Sequence, residues 1–194
     1  RYNFLHRGWG PLEPFDDSMP QLLSESGVYT HLASDHQHYW EDGGATFHSR
    51  YDSREFFRGQ EGDNWKGQVS APAIPECLQP LPHPMWRQDW GNRQFIREEA
   101  DFPQTRTFDA GIDFIQRNAT ADNWFLQIET FDPHEPFYVH DTYRQQYADD
   151  YDGLHFDWPG YQAVTETPEQ VQHIRMQYAA LLSMCDRSLG RVLD

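Results

Sequence analysis

Lysine is all but missing from this chain: of its 194 residues only Lys66 is one. A single ammonium gives little support to Schiff-base or phosphate-loop chemistry, and neither G-x-S-x-G nor G-x-G-x-x-G occurs. Cysteine is nearly as scarce. Cys77 and Cys185 lie too far apart to form a disulfide framework or a zinc motif, and Cys185 reads as a small core residue on an apolar helix face. There is no apolar run long enough to span a membrane and no signal-peptide pattern. The chain opens on Arg1-Tyr2-Asn3-Phe4 without a Met, and both ends read as cut from something longer.

Positive charge is short overall: 15 basic residues stand against 31 acidic ones, for a net charge of −16. Such a surface repels nucleic acid and anionic membranes, so neither is expected as a partner. The carboxylates are spread along the chain and serve solubility. Aromatics are plentiful, with 7 Trp, 10 Tyr and 13 Phe, which excludes disorder as the general state. Aromatics beside carboxylates also suit a sugar-binding surface.

The pattern of elements is α/β, a mostly parallel sheet flanked by helices. Asp16-Asp17-Ser18 offers N-cap oxygens and Pro20 suits a first turn, so a helix is expected over 18–26, closed by Gly27. A strand follows from Val28 to Ala33. Residues 45–90 read as a long irregular excursion, with short strands at Thr46 to Tyr51 and Glu55 to Phe57. Asn92 to Ala100 is expected as a short helix. Pro103 to Ala119 is a longer one, with Phe108, Ile112, Ile115 and Ala119 on one stripe. Trp124 to Thr130 alternates as a strand and ends at Asp132-Pro133-His134-Glu135-Pro136. The order helix, strand, loop thus occurs twice. Residues 141–149 form a short helix. Thr167-Pro168-Glu169-Gln170 then combines a capping box with Pro at the first helical position. The helix it opens carries the stripe Val171, Ile174, Tyr178, Leu181, Cys185, Leu189 and Val192.

Candidate chemistry sits past the two strands. On extended chain His36 and His38 face the same way, just beyond the strand end where open α/β sheets bind ligands. Glu41 and Asp42 follow, then a Gly43-Gly44 joint. The plain alternative is a pair of polar loop residues packed beside Tyr39 and Trp40. His-x-His with a nearby carboxylate is also a metal-ligand pattern, as in cupins, which require many short antiparallel strands. His134 lies in loop material after the second strand. If the two strand ends adjoin, positions 36, 38 and 134 line one pocket suited to an anion or to proton transfer. His31, His48, His83, His140, His155 and His173 read as structural or surface residues. Asn118-Ala119-Thr120 fits a glycosylation acceptor, a tripeptide common by chance.

Several stretches together resemble the sulfatases of the alkaline phosphatase superfamily, with bacterial members in view. They are Arg1-Tyr2-Asn3-Phe4-Leu5-His6-Arg7-Gly8-Trp9-Gly10-Pro11-Leu12, Asp17 to Ala33, Asp35-His36-Gln37-His38-Tyr39-Trp40-Glu41-Asp42-Gly43-Gly44, Phe56-Phe57-Arg58-Gly59-Gln60-Glu61-Gly62, Phe131-Asp132-Pro133-His134-Glu135-Pro136-Phe137, and the helix Tyr178 to Asp194. The resemblance implies that residues 1–194 are the central portion of one catalytic domain. The nucleophile, a Cys or Ser matured to formylglycine within Cys/Ser-x-Pro-x-Arg, would precede Arg1. The divalent cation, usually calcium, would take its ligands from outside this chain. Within the chain, the resemblance makes His38 and His134 catalytic: His38 contacts the formylglycine hydroxyls and His134 protonates the leaving group. His36 would bind substrate where the family usually has lysine, and an imidazole holds sulfate less firmly than an ammonium. The implied function is hydrolysis of a small-molecule or carbohydrate sulfate ester. Alternatives are a phosphonate or phosphate ester hydrolase on the same scaffold, or a non-catalytic module binding anions or glycans.

Overall fold

The structure is a computed structural model and describes residues 11–40, 46–76 and 84–194. The Arg1–Gly10 stretch, the Glu41-Asp42 pair, the Gly43-Gly44 joint, Cys77 and His83 lie outside the described residues.

In chain order the elements are α1 (Met19–Glu25), β1 (Tyr29–Ser34), 3-10 turns at Gln37–Trp40 and His48–Arg50, and β2 (Ser53–Phe56). Next come α2 (Pro84–Arg93), a 3-10 turn at Glu99–Asp101, α3 (Pro103–Arg117) and β3 (Trp124–Glu129). The chain closes with α4 (Asp141–Arg144), a 3-10 turn at Gln145–Tyr147, and α5 (Pro168–Leu193). The three strands form one parallel sheet in the order β2-β1-β3. The fold class is therefore α/β with a parallel sheet, and the antiparallel barrel that a cupin needs is overturned. Among the described residues no helix is long and apolar enough to cross a membrane.

The chain divides into two compact units, Arg1–Arg58 with Arg106–Thr130, and Gly59–Thr105 with Phe131–Asp194. The first holds the sheet. β1 is its centre, and all of its residues except Tyr29 are buried. Several of those buried residues are polar, and each needs a partner to make burial tolerable. Thr30 donates through its backbone N and its hydroxyl to Asp52 Oδ2, at 2.7 and 3.0 Å. His31 stacks face to face on Phe114 at 4.6 Å, with Nδ1 2.6 Å from the Ser53 hydroxyl. Leu32, Ala33, Ala110 and Phe114 supply the apolar part of this core.

Helix α3 approaches β3 through Gly111. A Cβ there would meet Ile128 Cδ1 at 2.3 Å and Cγ1 at 2.6 Å. Overpacking of this kind costs about 1–3 kcal/mol, against at most about 1 kcal/mol of helix propensity gained by replacing glycine. Gly111→Ala is expected to lower the urea midpoint of the protein. An unchanged or raised midpoint would show that Ile128 yields freely.

The second unit packs Ile96, Phe102, Phe137, Val139, Tyr143, Ala180, Leu181 and Met184 into one cluster. The capping box that opens α5 is present in both directions: Thr167 N donates to Gln170 Oε1 and Gln170 N to Thr167 Oγ1. The buried face of α5 is not the expected stripe. His173, Gln177, Ala180, Leu181, Met184 and Ser188 are buried, whereas Tyr178 and Leu189 are 41% and 48% exposed. The face is turned by one residue because some polar side chains find partners inside. His173 pairs with Asp149 at 2.9 Å and with His155 at 3.0 Å. Cys185 is half-buried and not a core residue.

Three further expectations are corrected. Residues 48–50 form a 3-10 turn in place of a strand. The helix expected at 92–100 lies at 84–93, with only a 3-10 turn at 99–101, because Pro84 suits the first turn of a helix. His36 and His38 are not set by extended chain, since His38 sits within the 3-10 turn Gln37–Trp40.

Candidate active site at the strand ends

Parallel strands bring their C-terminal ends to one edge. In the first unit that edge is made by the register pairs Ser34↔Phe56 and Ser34↔Glu129. β1 has a neighbour on each side, with the connection from β2 to β3 passing over it, so the edge is also a topological switch point, where such sheets bind ligands. The chain leaving β1 turns at once: His36 N donates to the Ser34 hydroxyl at 3.1 Å. The following 3-10 turn brings the His36 and His38 rings to 5.6 Å, edge to face. The structure thus gathers these two imidazoles by a route other than strand periodicity.

Glu129, the last residue of β3, organises the edge. His36 Nδ1 lies 3.2 Å from its Oε1, and the Tyr39 hydroxyl donates to the same oxygen at 2.5 Å. Gln127 Nε2 donates to Oε2 at 3.1 Å, and the Tyr51 hydroxyl in turn donates to Gln127 Oε1. Burial acts to raise the Glu129 pKa, but the hydrogen bonds from His36, Tyr39 and Gln127 outweigh it and hold the carboxyl below its usual range. Burial, reinforced by Glu129, pushes the Tyr51 phenol up to about 12, so it stays a donor. A cavity of about 90 Å³ lies among Tyr39, Tyr51, Gln127, Glu129, Arg50 and Leu32. An acceptor-only carboxylate at His36 Nδ1 fixes the tautomer with the proton on Nδ1. The position therefore carries a His–Glu dyad.

Behind this edge sits His48, wholly buried, with neither ring nitrogen bonded among the described residues. Trp40 stacks on it at 4.6 Å, and the Tyr39 ring lies edge-on at 5.3 Å. Burial, helped by the Arg54 charge, drops its pKa from 6.5 to about 4. The unfolded chain therefore takes up this proton first as pH falls. The stability involved is fully present above about pH 6.5 and is lost as pH falls toward 4, by about 3 kcal/mol. His48→Leu is expected to flatten that dependence in urea denaturation at pH 7 and pH 5, because it removes two unmet polar atoms along with the titrating group. A variant that loses as much stability as the parent over that interval would contradict the assignment.

His134 belongs to the second unit. It stands in the loop after β3 between two cis prolyl bonds, Asp132-Pro133 and Glu135-Pro136. Its Nδ1 is 2.7 Å from the Glu135 carbonyl oxygen, which only accepts, so Nδ1 carries the proton and the neutral ring accepts at Nε2. The Tyr161 hydroxyl lies 3.2 Å from Nε2. Tyr161 is 85% exposed, and hydrogen bonding to the Glu135 carboxylate raises its pKa to about 12. Two residues before His134, burial pushes the Asp132 carboxyl up to about 7, although Gln60 Nε2 donates to it at 2.6 Å. Phe131 backs the His134 ring at 4.2 Å.

Sequence reasoning singled out His36, His38 and His134 as candidates but not their structural partners Glu129 and Tyr161. Glu129 left a trace: a carboxylate closing an alternating strand. Tyr161, in irregular chain, left none. Among the described residues no group of three or more His, Cys, Asp or Glu is arranged to hold a metal ion.

A search of curated proteins found no match to the chain. The sulfatase family model matches residues 2–194, nearly the whole length. With that coverage, and with a parallel α/β sheet whose strand end presents paired imidazoles, the chain belongs to the sulfatase family of hydrolases.

Proposed function

We propose that the protein hydrolyses sulfate esters, of small molecules or of carbohydrates, with His38 and His134 as catalytic residues and His36 as a substrate-binding one. The observation that carries this reading is the locked tautomer of His134. Its Nδ1–H is committed to the Glu135 carbonyl, so Nε2 is the nitrogen that exchanges a proton with an ester. The Tyr161 hydroxyl now at Nε2 marks where a leaving-group oxygen would sit. As the sulfuryl group passes to the attacking oxygen nucleophile and its bond to the ester oxygen breaks, a protonated Nε2 donates to that oxygen and recovers its proton from water afterwards.

His36 contributes differently from a lysine. Its dyad with Glu129 orients a single N–H or lone pair and adds little net charge. It favours a directed hydrogen bond to a sulfate or sugar oxygen over broad attraction of anions. His38, held at the edge beside it, supplies the second imidazole. The family's formylglycine nucleophile has no counterpart here, because no Cys/Ser-x-Pro-x-Arg motif occurs in the sequence. Among the described residues no group of three or more His, Cys, Asp or Glu fits the divalent cation, whose ligands would lie outside this chain.

Steady-state kinetics of the full-length protein on an aryl sulfate test the role of His38. His38→Ala is expected to lower kcat by about 10²-fold or more, with His140→Ala as the neutral comparison. Retention of kcat within about twofold by His38→Ala would remove it from the catalytic set.

A further inference from the structure

In the second unit, a pocket of about 380 Å³ brings the chain's one lysine together with an arginine. Lys66 and Arg87 line it with Asn64, Gln68, Gln88 and Met85. The Lys66 ammonium lies 4.3 Å from the centre of the Trp65 ring and 4.7 Å from that of Phe95. Two ring faces hold the cation in place without neutralising it. Arg87 Nη2 donates to the Val69 carbonyl at 2.9 Å, which steadies the guanidinium and again leaves its charge. Among the described residues neither Lys66 nor Arg87 is seen in an ion pair, unlike Arg93, Arg117, Arg144 and Arg187. In a chain with twice as many acidic as basic residues, two unneutralised cations facing one recess run against the general field.

The frame around them is set before any ligand arrives. Gln88 Nε2 donates to the Lys66 carbonyl at 2.8 Å and to Asn92 Oδ1 at 3.0 Å. Lys66 N donates to Asn92 Oδ1 at 3.3 Å, and Asn92 Nδ2 to the Asp63 carbonyl at 2.8 Å. Gln94 Nε2 donates to Gln68 Oε1 at 2.9 Å. Pro84 and Met85 place the first turn of α2 on the same pocket, and its dipole adds partial positive charge. Cations give the pocket its anion preference.

We propose that this pocket is a subsite for an anionic sugar residue, whose sulfate or carboxylate group meets Lys66 and Arg87. The inference rests on the sulfatase reading for its substrate class, while the pocket itself is judged by binding without turnover. Beyond about 8 Å the protein's net negative charge is largely screened at physiological salt, so a short oligosaccharide is the fitting ligand.

Calorimetry on the full-length protein tests it, with an oligomer of dextran sulfate, an oligogalacturonate and a neutral dextran oligomer as probes. At least one anionic oligomer is expected to bind, and the neutral one to bind about tenfold or more weaker. The anionic oligomer that binds identifies the group as sulfate or carboxylate. Lys66→Gln with Arg87→Gln is expected to weaken that binding by about tenfold or more, while Lys66→Arg retains it. Lys66 is half-buried and Arg87 exposed, so these changes empty no core. Arg97→Gln, an exposed cation in the same unit, is expected to leave binding unchanged. Equal binding of the neutral oligomer, no binding of any probe, or undiminished affinity in the double variant overturns the proposal. A parent protein that binds the probe but leaves aryl sulfate untouched would instead overturn the sulfatase reading and spare the subsite.

Discussion

His134→Ala is expected to slow hydrolysis of an alkyl sulfate by about 10²–10⁴-fold, and to slow hydrolysis of an aryl sulfate with an acidic phenol much less. The asymmetry follows from the chemistry assigned to Nε2. An alkoxide is a poor leaving group and needs its proton as the bond breaks, whereas an acidic phenolate departs without one. The Nδ1–H contact with the Glu135 carbonyl at 2.7 Å keeps the ring aimed, so the full effect belongs to Nε2. Comparing kcat/KM of parent and variant on the two ester types measures it. A large, equal loss on both would make His134 a binding residue. Undiminished turnover of the alkyl ester would remove it from the reaction.

Arg93→Ala is expected to destabilise the protein by about 3–5 kcal/mol. The guanidinium is 7% exposed and pairs with Asp89 and Asp157, both at 2.6 Å. It also lies 4.4 Å from the Trp90 and Tyr138 ring centres. Removing it leaves two carboxylates, 5% and 4% exposed, with no counter-charge, besides a cavity between two rings. Burial already pushes Asp89 up to about 6 even beside the arginine. Urea denaturation of the parent and the variant reads the difference. Replacing Arg93, Asp89 and Asp157 together by apolar residues is expected to cost far less than Arg93→Ala alone, because no unpaired charge is then left behind. A loss under about 1 kcal/mol for Arg93→Ala would mean that water reaches the pair.

The parts of the fold that were legible are those where period and capping agree. Thr167 and Gln170 mark the start of α5 to the residue, and alternation fixes β3 at Trp124–Glu129 within one residue. The expected strand at Thr46 to Tyr51 failed because Phe47 and His48 owe their place to ring packing around Tyr39 and Trp40, and Tyr51 to a hydrogen bond with Gln127, none of which is a local property. The buried face of α5 was misread because hydropathy ranks His173 and Gln177 as surface, and tertiary packing overrides that rank. The placement of His36 and His38 just past β1 was legible from the strand signal. Their dependence on Glu129 was not, since the pair is 93 residues apart in sequence. His134 could be found from its loop, but its tautomer is set by a backbone carbonyl that no motif encodes.

The most direct measurement is the ratio of kcat/KM for an alkyl sulfate and the matching alkyl phosphonate ester, taken on the full-length protein. Faster turnover of the sulfate, lowered by His38→Ala and His134→Ala alike, is the expected result. Preference for the phosphonate, or sulfate turnover indifferent to both substitutions, would contradict a sulfatase that works through these two imidazoles.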